Sequence, residues 1–203
     1  MEPQRNRRII VTGATGLIGA KLIERLAELG DYVIAFVRNP EKDVHRLPNA
    51  SEYVFWSASQ TDGPWQKTIE GADAVINLAG APIAKRWTPK WKKIVRDSRV
   101  LGTRHIVQAI AKAKSKPTLL INASAVGYYG AATNHVVDDA SPPGDDFMAA
   151  VCNAWEAEAL KIEEHGLRAV MIRTGIVLSR DIQDVCRRTF WFGEATLALD
   201  SHR

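Results

Sequence analysis

Apolar positions along the chain follow two alternating rhythms. Short runs rich in Val and Ile alternate with longer stretches in which apolar side chains return every three or four residues. The first rhythm is that of buried strands and the second that of one-sided helices. Read this way, strands fall at 8–12, 32–37, 53–56, 73–79, 118–124 and 167–173, and helices at 17–29, 65–69, 89–114 and 147–164. The punctuation agrees with the rhythm. Gly30, Gly71 and Gly166 follow helical stretches as stops, and Asn39-Pro40 reads as a turn. Thr88 and Pro89 suit a cap and a first helical turn. The run Ala74-Val75-Ile76 is continuously apolar, as in a strand covered on both faces. Strand and helix in alternation predict an α/β fold: a doubly wound, mostly parallel sheet of Rossmann type. That domain is expected over 1–179. Residues 180–203 carry one glycine, scattered aromatics and no strong period, and read as an atypical tail.

The first strand leads straight into Thr12-Gly13-Ala14-Thr15-Gly16-Leu17-Ile18-Gly19. Strand, glycine turn and helix in this order make a cradle for a dinucleotide pyrophosphate. One glycine permits the tight turn, one lets backbone approach the phosphates, and one lets helix and strand pack closely. The anion then sits on the free N–H groups of the new helix. Thr12, Gly13, Thr15, Gly16, Leu17, Ile18 and Gly19 are therefore candidate cofactor contacts. The end of the second strand selects between cofactors, because an acid there receives a ribose hydroxyl and a cation receives a 2′-phosphate. Phe36-Val37-Arg38-Asn39 has no acid, and the Arg38 fork matches a phosphate. NADP is expected in preference to NAD.

Composition narrows the picture without redirecting it. The 203 residues are 46% hydrophobic and 25% charged, with a formal net charge of +4. This mild basicity suits an anionic cofactor and is too small to imply a nucleic-acid partner. No run approaches 18 apolar residues, so no membrane span is expected. No apolar segment stands apart from the first strand, so no secretory leader is expected. Cys152 and Cys186 form no metal or disulfide pattern, and His45, His105, His135, His165 and His202 show no ligand spacing. No metal is expected. A reducing, cytoplasmic setting is the default expectation, and a mature organelle protein would read the same.

Further motifs resemble the extended short-chain dehydrogenase/reductases. They are Asn77-Leu78-Ala79-Gly80 after the fourth strand, Val100-Leu101-Gly102-Thr103 in the long helix, Asn122-Ala123-Ser124 with Gly127-Tyr128-Tyr129-Gly130, and Arg173-Thr174-Gly175-Ile176-Val177-Leu178. Lys85-Arg86-Trp87, Ser98-Arg99, Val151-Cys152 and Trp155-Glu156 narrow the resemblance to an atypical subgroup, the epimerase family or sugar-nucleotide-epimerase-like proteins. The resemblance covers about residues 8–179 and implies that Asn77, Leu78, Ala79 and Gly80 line the cofactor. It also implies an epimerase/dehydratase-like oxidoreductase whose substrate is a small molecule, a nucleotide sugar by analogy.

One departure bears on chemistry. Such enzymes use a Tyr with a Lys four residues later, the Tyr moving a proton while the cofactor moves hydride. The corresponding stretch is Phe147-Met148-Ala149-Ala150-Val151-Cys152-Asn153, which places Met148 and Cys152 at those positions. Ser124, Tyr128 and Tyr129 remain as candidate catalytic residues. Lys85, Arg86, Arg96 and Arg99 form a basic group suited to a diphosphate. A catalytically inactive nucleotide-binding regulatory or scaffold protein is the alternative reading. The subgroup's usual continuation into a substrate-binding region finds no counterpart in 180–203, so a truncated or frame-altered product is expected. Its exposed lid-facing surface would favour self-association, a homodimer included.

Overall fold

The computed structural model describes residues 6–130 and 136–177. Six strands form one sheet: β1 (Arg8–Thr12), β2 (Tyr32–Val37), β3 (Glu52–Phe55), β4 (Ala74–Asn77), β5 (Leu119–Ala125) and β6 (Arg168–Thr174). Their order is β3-β2-β1-β4-β5-β6, and every neighbouring pair is parallel. This is the doubly wound order of a Rossmann-type sheet, in agreement with the α/β reading of the sequence. Its direction of winding reverses between β1 and β4, so a crevice opens at their carboxyl ends. Thr12, Asn77 and Asn122 stand side by side there in the sheet register.

The strands bury both faces because their residues alternate between two cores. Ile9, Val11, Val33, Ala35, Val37 and Ile76 pack with Ile23 and Leu26 of α1 (Leu17–Glu28). Ile10, Ile34, Phe36, Val75 and Leu120 face the other way, onto Trp56, Trp65, Ile106, Ile110 and Ile162. That second core is covered by α3 (Trp65–Thr68), α4 (Pro89–Lys112) and α5 (Phe147–Leu160). Thr88 caps α4 as expected, its hydroxyl accepting from the Trp91 N–H at 3.1 Å.

Most element ends lie within one or two residues of the sequence reading, and three differences have a visible cause. The expected turn at Asn39-Pro40 opens a single helical turn, α2 (Pro40–Asp43), because the Asn39 side chain accepts from the Lys42 N–H at 3.1 Å. The helix expected to reach 164 stops as α-helix at Leu160 and tightens into a 3-10 turn, Lys161–His165, before Gly166 takes the left-handed conformation at φ 76°. β4 ends at Asn77, and the next residues leave the sheet and pass over Gly13. The expected tail at 180–203, with Cys186 and His202, lies outside the described residues, as do Leu178 and His135.

Candidate functional site

The loop after β1 is shaped by its glycines. Gly13 has φ 65°, and a Cβ there would lie 2.6 Å from the backbone carbonyl of Leu78. The loops after β1 and β4 therefore touch through bare backbone. A Cβ on Gly19 would strike the carbonyl oxygen of Gly13, so α1 can press against the loop only with glycine at that turn. Gly16 is the N-cap of α1 and brings no side chain to it, and the first turn holds no acid. The leading N–H groups of Leu17, Ile18 and Gly19 have no helical acceptor. Thr15 stays close to the loop surface, its carbonyl 3.4 Å from the Arg46 guanidinium.

Arg38 follows β2 directly, is exposed, and has no ion pair among the described residues. Arg46 stands at the same end of the sheet and joins Asp43 at 3.2 Å. Arg46 could not be singled out from spacing, because its approach to Thr15 depends on the unpredicted turn of α2.

Beneath the crevice lies a buried polar network. The Thr12 hydroxyl donates to Asn77 Oδ1 at 2.6 Å. Asn77 Nδ2 donates to Asn122 Oδ1 at 2.6 Å and to Thr103 Oγ1 at 2.8 Å. Trp155 Nε1 donates to the same Thr103 oxygen at 2.8 Å. Asn77, a candidate cofactor contact, is only 1% exposed and spends its amide on this network. Leu78, Ala79 and Gly80 form the surface above it, with Gly80 exposed.

Ser124, Tyr128 and Tyr129 come together through two residues that sequence spacing did not reveal. Ser124 Oγ donates to Glu156 Oε1 at 2.5 Å. Both Glu156 oxygens receive Arg173, from Nε and Nη2, each at 2.8 Å. Arg173 Nη1 then donates to the Tyr129 hydroxyl at 2.8 Å, and its guanidinium lies 3.6 Å from the Tyr128 ring centre. Burial disfavours the Glu156 charge, but the Arg173 fork and the Ser124 hydroxyl outweigh it and hold the carboxyl below its usual range. Glu156, and behind it the phenol, hold Arg173 well above the usual arginine value. The Ser124 proton is committed to a carboxylate, so this hydroxyl can accept from a ligand but has no proton left to give a carbonyl. It is also 3% exposed. Glu156 and Arg173 lie 17 residues apart on a helix and a strand, beyond any local spacing rule. The available signal was Glu156 and Arg173 as charges within two mostly apolar stretches that also carry Glu158 and Arg168.

Along α5 there is no tyrosine and no lysine. Met148 sits below Gly127, where an added Cβ would meet the Met148 Cβ at 3.6 Å. Cys152 is buried, and burial pushes its thiol up, with Arg99 opposing the shift. A thiol so placed is an inert core group.

The basic segment does not act as one cluster. Lys85 lies 4.3 Å from the Trp91 ring centre, Lys93 pairs with Asp97, and Arg96 lies 3.5 Å from Asp97. Arg99 alone turns inward. Its Nη1 donates to the carbonyls of Ala81 and Val95, both at 3.1 Å, and its plane lies 5.3 Å from the Trp155 ring centre. His105 is buried with Nδ1 3.1 Å from the Ala58 carbonyl, and no group of metal-binding side chains occurs among the described residues. No helix among the described residues is long and apolar enough to cross a membrane.

Comparison with known proteins places this geometry. Residues 9–190 match the NAD dependent epimerase/dehydratase family. An Arabidopsis thaliana protein, epimerase family protein SDR39U1 homolog, chloroplastic, is 38% identical over 175 residues, which is 85% of this chain and 50% of that protein. The crystal structure of a nucleoside-diphosphate sugar epimerase from Corynebacterium glutamicum superposes with a TM-score of 0.70 at 32% identity, covering 87% of this chain and 35% of that one. The structure of human epimerase family protein SDR39U1 (isoform 2) with NADPH gives 0.69 at 31% identity, covering 85% and 55%. The chain spans about half the length of the curated relatives it matches.

Proposed function

Since the chain belongs to the NAD dependent epimerase/dehydratase family, we propose that it binds NADP(H) across the β1–β4 crevice and serves an epimerase-like oxidoreductase reaction on a small molecule, a nucleotide sugar by analogy with its relatives. One observation carries the cofactor reading. Backbone-only contact at Gly13 and Gly19 brings the β1 loop and the uncapped α1 N-terminus against residues 78–79, and Arg38, with no ion pair among the described residues, stands at the end of β2. These residues fit a dinucleotide carrying a 2′-phosphate. Thr12, Gly13, Thr15, Gly16, Leu17, Ile18 and Gly19 would hold the pyrophosphate turn. Arg38 would hold the 2′-phosphate, and Leu78, Ala79 and Gly80 would line the groove above Asn77. The human relative solved with NADPH supports the same choice.

When bound, the nicotinamide supplies or accepts a hydride. The chain's own residues must then move a proton, and we assign that role to Tyr129. Its oxygen accepts from Arg173, which leaves the phenolic proton free for a ligand and a cation beside the phenolate that remains. Ser124 and Glu156 fix Arg173 in that position, and Tyr128 packs beneath its guanidinium. We assign Ser124 an orienting role, with acceptance from a substrate hydroxyl as its only direct contact.

A second reading has its own support. With neither tyrosine nor lysine on α5, the chain would hold the nucleotide and perform no chemistry, as a regulatory or scaffold protein. Incubation of NADPH with a panel of nucleotide sugars and small carbonyls separates the two. With NADP+ as well as NADPH supplied, the oxidoreductase reading expects either net cofactor turnover or an epimerised or dehydrated product from at least one compound, slowed about 100-fold in Tyr129→Phe. Tight NADPH binding with neither cofactor turnover nor any altered compound across the panel would establish the silent reading instead.

A further inference from the structure

Arg99 carries a charge with no counter-charge among the described residues. The α4 backbone sets it in a part-buried place between Gly80, Trp155 and Cys152. A Cβ built on Gly80 would lie 2.9 Å from Arg99 Cζ and 3.0 Å from Nη2, so the guanidinium rests directly against an exposed, bare stretch of backbone. One nitrogen, Nη1, anchors the group to two carbonyls. Nε and Nη2 donate to nothing among the described residues, and neither is sealed from solvent. Those two N–H groups form the parallel fork that meets both oxygens of a carboxylate or phosphate.

The surroundings leave the charge uncompensated. Burial lowers the Arg99 value, which measures how poorly water reaches it. The one titratable neighbour close enough to answer it, Cys152, has a thiol pushed up by burial and stays neutral near pH 7. A guanidinium held in such a place is stabilised most by an anion that arrives with its own two oxygens. Of its neighbours in the segment, Lys93 and Arg96 are engaged by Asp97, and Lys85 and Lys92 lie against aromatic rings.

We propose that the Nε/Nη2 edge of Arg99, beside Gly80, is an oxyanion subsite for the substrate, taking a carboxylate or a phosphate in two parallel hydrogen bonds. Its assignment to the substrate rests on the proposed cofactor groove. Gly80 is the last of the residues assigned to that groove, whereas the cofactor's phosphates are assigned to the α1 N-terminus and Arg38. The substrate class is thereby narrowed to molecules with an anionic group near the reacting carbon.

Calorimetric titration of malonate, inorganic phosphate and neutral malonamide into the chain, with and without saturating NADPH, tests this. Malonate or phosphate should bind with NADPH present, and malonamide should not. The stronger of the two anions identifies the source of the oxygens. Arg99→Gln should weaken that anion about tenfold or more. Arg99→Lys should weaken it less, and Lys112→Gln, an exposed change in the last turn of the same helix, should leave it unchanged. Equal binding in wild type and Arg99→Gln, or binding of neither anion, would overturn the subsite. Loss of anion binding once NADPH is added would overturn its assignment to the substrate. If NADPH itself fails to bind, the cofactor reading falls, and the subsite is judged on the Arg99→Gln contrast alone. Circular dichroism of each variant separates loss of binding from loss of fold.

Discussion

Glu156 keeps its charge at 6% exposure because every lone-pair direction that matters is filled, twice by Arg173 and once by Ser124. Removing one member of such a pair is worse than never having built it, since the partner charge is left buried. Glu156→Gln should therefore destabilise the chain by about 3 kcal/mol in urea unfolding. The pH dependence has a fixed sign. A carboxyl held below its usual range lends stability that is complete above about pH 5 and is lost as pH falls through the depressed value. Wild type should lose stability below about pH 4.5 more steeply than Glu156→Gln. Equal acid slopes would contradict the charged Ser124–Glu156–Arg173 arrangement. Cys152 is the opposite case, a group kept neutral by burial. At pH 7.5 iodoacetamide should modify it at least about tenfold more slowly in the native chain than in urea, and equal rates would show an exposed thiol.

The elements meet at their carboxyl ends through hydrogen bonds more than through apolar contact. Thr12 of β1, Asn77 of β4, Asn122 of β5, Thr103 of α4 and Trp155 of α5 share one buried network. Asn77→Leu would leave the Thr12 and Thr103 hydroxyls and the Asn122 carbonyl short of a partner. It should cost about 3 kcal/mol by thermal or urea unfolding, and a loss under 1 kcal/mol would show that water replaces the amide. The strands were legible because each is a short apolar run with a glycine or turn near its ends, as at 8–12 and 32–37. The glycine loop was legible because strand, glycines and helix are contiguous. The network and the Glu156–Arg173 pair were not, because their members belong to different elements and meet only after the sheet forms. The α2 turn was hidden for a simpler reason: Asn39-Pro40 serves a turn and a helix start equally well.

At the scale of the molecule, the described residues cover the two faces of the sheet unequally. α4 and α5 cover the face that carries Val75 and Leu120. On the other face α1 packs over β1 and β2, and Ile172 of β6, in register with Ala123 of β5, is 43% exposed. Leu120→Ala should cost about 3 kcal/mol, whereas Ile172→Thr should stay within about 0.5 kcal/mol of wild type. A large loss at Ile172 would show that further chain covers this face. The crevice lies between these regions, over the crossing point of β1 and β4, and its contents decide what the molecule does. Fluorescence titration of NADPH and NADH into wild type and Arg38→Ala tests that most directly. The account predicts NADPH binding that weakens about tenfold or more in Arg38→Ala, with NADH binding weaker in wild type and unchanged by the substitution. Binding of neither nucleotide, or equal binding of both in each protein, would contradict it.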